Sequence, residues 1–188
     1  DRLMPSMGEG AIQDNLMERE ADLFASHLLL PSQLIRKVFK KSAEGMPGIK
    51  QVASRFGTSM KCTSIRYIGE TLLPCCLTFR GWDGELRWKW FSRKLWLAGI
   101  RKVCEEPVAK SATSQVLKMG RDAESEIIDS AATARYLFQM GDGQNSNEVF
   151  LEEAMSLGEY GVLTLFRAQE QDLPLMAEVL DRRYGRSV

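Results

Sequence analysis

The chain has 188 residues, room for one domain or two small ones with a sizeable core. Its 25 basic and 25 acidic residues cancel, so global charge argues neither for nor against nucleic acid. Apolar residues at 44% are ordinary for a globular protein, and no apolar run reaches the roughly 18 residues of a membrane span. The cysteines, Cys62, Cys75, Cys76 and Cys104, match neither a zinc module nor a secreted disulfide framework, so free thiols in a reducing cytoplasm are expected. The chain opens at Asp1 with no basic-then-apolar leader in view, and a non-Met start leads us to expect a fragment, a processed form or missing upstream residues.

Residues 1–12, with Pro5, Gly8 and Gly10, read as a loop. A helix is expected from about Asn15 to Leu30, with Asn15 as cap, Glu18 three residues on, and Pro31 as the stop. A second helix fits Ser32 to Lys41, with Leu34, Ile35, Val38 and Phe39 on one face. Gly45-Met46-Pro47-Gly48 reads as a break, followed by short helices over Ile49–Phe56 and Ser59–Ile68 around Gly57. After Leu73-Pro74 the pattern changes. Cys75–Arg80 and Glu85–Trp90 are strand-like, joined by a hairpin turn at Asp83-Gly84. Ser111–Leu117 reads as a strand or connector, and Ala131–Phe138 as helix passing into strand. Residues 141–147 form a polar loop, and Phe150–Met155 a strand. Gly161–Phe166 is a strand or a buried helix, a choice periodicity alone does not make. Leu173–Tyr184 reads as a final amphipathic helix.

On the first helix Leu16, Glu20, Leu23 and His27 fall in one row, and Met17, Ala21, Phe24 and Leu28 in the next. Glu20 thus lies within or beside an apolar stripe. A carboxylate there either reaches water or a base such as Arg19 or Lys37, or meets a metal, because burying it unpaired is costly.

The stretch Glu18-Arg19-Glu20-Ala21-Asp22-Leu23-Phe24-Ala25-Ser26-His27-Leu28-Leu29-Leu30-Pro31 resembles the segment that follows His-Glu-x-x-His in the ImmA/IrrE family of metallopeptidases. Residues Val52–Ser59 and Ile65-Arg66-Tyr67 are similar to the helical segment that often follows, and Pro74-Cys75-Cys76-Leu77 to the lead into a hairpin. Glu159–Leu165 looks like the closing segment of longer members, some with a small sensor-like domain resembling GAF. The resemblance implies zinc held by two histidines and a downstream glutamate, with the motif glutamate as general base. Carried over by position, Glu20 matches the third metal ligand, Glu18 is the runner-up, and Asp22 matches a position that orients a ligand. No His-Glu-x-x-His occurs in the chain. Its one histidine, His27, lies two turns from Glu20, about 10 Å away along a helix, and reads as structural. Zinc is therefore expected for the intact family member and not for this chain alone.

Other signals point elsewhere. Residues 49–68 have the spacing of a helix-turn-helix that would present Lys61, Thr63, Ser64 and Arg66, against the plainer reading of a helical hairpin. Trp82, Trp88, Trp90 and Trp96 lie among basic residues, a pattern that suits single-stranded nucleic acid. Yet Leu86, Trp88 and Trp90 alternate with Arg87 and Lys89 as in a half-buried strand. Adjacent Cys75 and Cys76 point to opposite faces, one to the core and one to the surface. Glu105-Glu106, Glu124/Glu126 and Glu152-Glu153 read as solvated faces.

The fold expected is α+β: a helical remnant of a zincin-like peptidase domain over residues 1–72, then a small mixed α/β domain over 73–188 for sensing or partner binding. The function expected is that of a fragment of a regulatory zinc metallopeptidase, not competent as given. The resemblance implies a protein substrate such as a transcriptional repressor, or a regulatory partner. A non-catalytic protein- or ligand-binding module is the alternative, and a DNA-binding regulator stands behind it. No membrane partner is expected.

Overall fold

The computed structural model describes residues 12–98, 100–121, 126–138 and 149–168. Four helices come first: α1 (Ile12–Leu29), α2 (Ser32–Phe39), α3 (Gly45–Phe56) and α4 (Met60–Glu70). They are followed by β1 (Cys75–Arg80), β2 (Leu86–Phe91), α5 (Arg93–Leu97), α6 (Ala112–Met119), β3 (Ile128–Thr133), α7 (Ala134–Leu137), β4 (Val149–Ser156) and β5 (Val162–Ala168). The fold class is α+β, as expected.

Local chemistry accounts for most boundaries. Pro31 separates α1 from α2 and stands at the N-cap of the latter. Asn15 lies inside α1, which begins at Ile12, so it does not cap the helix. Gly45 and Pro47 open α3 instead of breaking the chain. Pro47 sits in the first turn, where its missing N–H would have had no intrahelical partner. Gly57 ends α3 with φ 62°, and the Ser59 side chain caps α4 by accepting from the Cys62 amide.

Past Pro74 the strands form one antiparallel sheet in the order β2-β1-β5-β4-β3. Gly84, with φ 82°, makes the β1–β2 hairpin. β1 pairs with β5 from Cys75 against Arg167 to Arg80 against Val162, and β4 pairs with β5 from Phe150 against Ala168 to Ser156 against Val162. Residues 161–166 are thus strand from Val162 onward. Ala131–Phe138 runs in the opposite sense to the expectation, strand first and then the short α7, because residues up to Thr133 pair with β4. Ser111–Leu117 is neither strand nor connector: the Ser111 hydroxyl accepts from the Ser114 amide and starts α6. The expected loop over 1–12 falls, but for Ile12 in α1, outside the described residues, as do the polar loop 141–147 and the helix over Leu173–Tyr184.

Both faces of the sheet are covered. On one face Cys75, Leu77, Trp90, Met155, Leu163 and Leu165 share a core with Met46, Ile49, Ile65, Tyr67 and Ile68 of α3 and α4. On the other, Cys76, Phe91, Phe150 and Phe166 pack with Leu95, Val103, Leu137 and Phe138, while Ala154 and Val162 meet Ala112 and Val116 of α6. The change from helix to strand at residues 71–74 therefore falls inside a continuous core. Cys75 and Cys76 do point to opposite faces, but both are buried, because neither face is open to solvent.

Candidate functional site

Helix α1 leans on α4 through one face. Ser26 and Leu30 are fully buried, Leu23 is half-buried, and Asp22 reaches Lys61 on α4 at 2.6 Å. The opposite face is turned outward: Met17 is 72% exposed, Phe24 71% and Leu28 69%, with Glu20 exposed among them. Met17, Glu20 and Phe24 are at i, i+3 and i+7, so they share that face. The apolar row Met17-Ala21-Phe24-Leu28 is therefore outside and not in the core. Glu20 occupies this open face. The side chains of Glu18 and Arg19 lie outside the described residues.

Asp22 is committed to Lys61, and His27 is committed twice. The His27 Nδ1 lies 2.8 Å from the Leu23 carbonyl and its Nε2 lies 2.6 Å from the Arg66 guanidinium. Arg66 can only donate, so Nε2 accepts and the proton sits on Nδ1. His27 thus has no nitrogen left for a metal, consistent with a structural role. Among the described residues no group of three His, Cys, Asp or Glu side chains could hold a metal ion. The described residues do not by themselves fit a zinc ion.

Arg66 belongs to a buried cluster. It is 1% exposed and donates to the Leu30 carbonyl at 2.9 Å, the Ser32 hydroxyl at 2.8 Å and Glu70 at 2.8 Å. Arg36 donates to the other oxygen of Glu70. Burial raises the Glu70 carboxyl, but Ser32, Arg36 and Arg66 outweigh that and leave it below its ordinary value. One guanidinium thus ties the end of α1, the start of α2 and the end of α4. Of the side chains a helix-turn-helix would present, Thr63, Ser64 and Arg66 are buried and Lys61 is paired with Asp22, which favours the plainer helical hairpin. The tryptophans also pack rather than project. Trp90 is buried, Trp88 stacks on Phe79 at 5.5 Å, Trp82 donates to the Gly158 carbonyl, and Arg101 covers Trp96 at 4.5 Å.

The pair Glu152-Glu153 is a correction to the expected solvated face. Both are buried, at 1% and 4% exposure, on opposite faces of β4. Glu152 accepts from the amide and hydroxyl of Thr113 in the first turn of α6 and from the Ser130 hydroxyl. Glu153 accepts from the Met46 amide in the first turn of α3 and from Arg167. Each carboxylate therefore meets the positive end of a helix lying on its own face of the sheet. Burial pushes the Glu153 carboxyl up, with Met46 and Arg167 pulling against it. Strand alternation does place the two acids on opposite faces, but only the packing of helices on both faces of the sheet buries them both. Arg80, 2% exposed, is likewise buried and donates to the carbonyls of Gly84, Cys104 and Glu105.

Residues 9–67 match the family model of the IrrE N-terminal-like domain. The match runs from before α1 to Tyr67 in α4 and stops short of the sheet. No curated protein matches the chain.

Proposed function

Through residues 9–67 the chain is related to the ImmA/IrrE family of metallopeptidases, and on that premise we propose that it is part of a regulatory zinc-dependent peptidase. Helices α1–α4 are its share of the peptidase domain, and residues 73–188 receive a partner or ligand. The carrying observation is the outward face of α1, where the carboxylate of Glu20 stands among Met17, Phe24 and Leu28. An exposed apolar row with one acid in it is the surface against which a helix bearing His-Glu-x-x-His would close, with Glu20 as the third zinc ligand. On its open face α1 offers the Glu20 carboxylate, and both nitrogens of His27 are already engaged. The substrate class is a protein, such as a repressor, and residues 73–188 regulate its cleavage.

The test reads the coding frame upstream of Asp1 and assays the whole gene product for zinc-dependent proteolysis. A His-Glu-x-x-His within a few turns of chain, with cleavage abolished by Glu20→Gln, supports the reading. A frame without the motif, and a product without cleavage, transfers the function to the second reading, a non-catalytic regulatory module. The observation favouring that alternative is the buried polar ground on the α6 side of the sheet.

A further inference from the structure

Between the sheet and the segment 103–108 lies a small cavity whose lining includes Arg80, Cys104, Thr113, Tyr136 and Glu152. We propose that it is a binding site for a small zwitterion of the α-amino-acid class, with the ligand carboxylate on Arg80 and the ligand ammonium on Glu152. This is independent of the peptidase reading, which concerns the opposite side of the sheet.

Arg80 and Glu152 carry opposite charges, both are nearly fully buried, and both line this cavity, yet no ion pair joins them. Each is held by neutral groups. Both Nη1 hydrogens of Arg80 are used by the carbonyls of Gly84 and Glu105, and one on Nη2 by Cys104. Among the described residues its Nε–H and second Nη2 hydrogen have no acceptor. Those two donors form one edge of the guanidinium, the spacing that a carboxylate matches with two parallel bonds. On Glu152, Oε1 takes two hydrogen bonds from Thr113 and Oε2 takes one from Ser130. A carboxylate accepts about four, so Oε2 keeps a place for one more donor.

Arg80 and Glu152 feel each other's charge without touching, and a molecule carrying the complementary pair would contact both directly. A simple anion would satisfy Arg80 and be repelled by Glu152, and a simple cation would do the reverse. A molecule with both charges meets both. The free space is ≈ 10 Å³, enough for one water, so a ligand must lift the cover. That cover is fastened beside the cavity by the Cys104 amide on the Leu137 carbonyl at 2.9 Å and by a single bridge from Val103 to Phe138.

The experiment is calorimetric and thermal-shift titration of the chain with a panel of free amino acids, using acetate and methylammonium as single-charge probes. At least one amino acid is expected to bind saturably, raise the melting temperature and speed hydrogen exchange at the Cys104 amide, while the single-charge probes bind far more weakly. Glu152→Gln keeps an oxygen for Thr113, and it should weaken amino-acid binding about tenfold or more while the free variant melts as a folded protein. Arg80→Lys, which loses the two-bond edge, should do the same. Absence of binding by every amino acid at about 10 mM overturns the proposal. So does acetate binding as tightly as the best amino acid, or unchanged affinity in folded Glu152→Gln.

Discussion

Arg66 joins three helices because a guanidinium has five donors in a rigid fork, and here they reach a helix-end carbonyl, a histidine, a hydroxyl and a carboxylate. Arg66→Ala would take the buried guanidinium from Glu70, leaving it Arg36 and Ser32, and would leave the Leu30 carbonyl without this donor, so we predict a loss of about 3–5 kcal/mol in urea unfolding. Glu70 carries a pH signature. Its folded value lies below the ordinary 4.5, so its contribution is present above that value and is lost as pH falls through the folded one. Glu70→Gln should therefore cost stability at neutral pH, with the cost shrinking in acid. Glu153 behaves oppositely. Its folded value is raised, so its favourable contribution is complete below the ordinary 4.5 and is lost as pH rises through the folded value. Met46 and Arg167 both donate to Oε2, which a glutamine oxygen can replace. Glu153→Gln should gain on the parent as pH rises from about 4 to about 7 and equal it in acid, measured by unfolding at several pH values. Among thiols, burial lifts Cys75 to about 12 and Cys76 well above its ordinary value, while Cys62 and Cys104 are half-exposed. A thiol reagent should label Cys62 and Cys104 in the native protein and reach Cys75 and Cys76 only on unfolding.

At the scale of elements, the legible parts were those with local causes. The stop at Pro31, the cap at Ser59 and the turn at Gly84 each follow from one residue's backbone chemistry. The start of α3 was not legible, because it depends on a distant strand. Gly45 holds φ 71°, and a Cβ there would lie 2.1 Å from Glu153 Oε2. Reading Gly45 and Pro47 as a break missed that Glu153 supplies the acceptor for the new helix's second amide. Gly45→Ala should cost about 2 kcal/mol or more, since it strains φ and displaces that carboxylate. Helix α6 was missed in a similar way. Its cap, Ser111, is a local signal, but its second anchor, Glu152, comes from 39 residues away.

At the scale of the molecule, the helices before residue 72 and the sheet after it share a core, so the family match ending at Tyr67 covers only part of one packed unit. The sequence pattern over residues 18–31 pointed to the family and to Glu20, and α1 does carry Glu20 on its open face. What the pattern could not convey was which helical row faced the core. That was settled by Ser26 and Leu30 packing inward, which turned Met17, Phe24 and Leu28 out. The buried acids and Arg80 were unreadable for the opposite reason, since strand periodicity locates faces but not what covers them. The most direct measurement is the zinc content of the whole gene product, wild type beside Glu20→Gln, with residues 1–188 as a third sample dialysed from excess zinc. About one zinc per chain is expected in the wild type, with its loss on Glu20→Gln and substoichiometric metal on residues 1–188. Zinc retained in full by the Glu20→Gln protein, or held one-to-one by residues 1–188, would contradict that expectation.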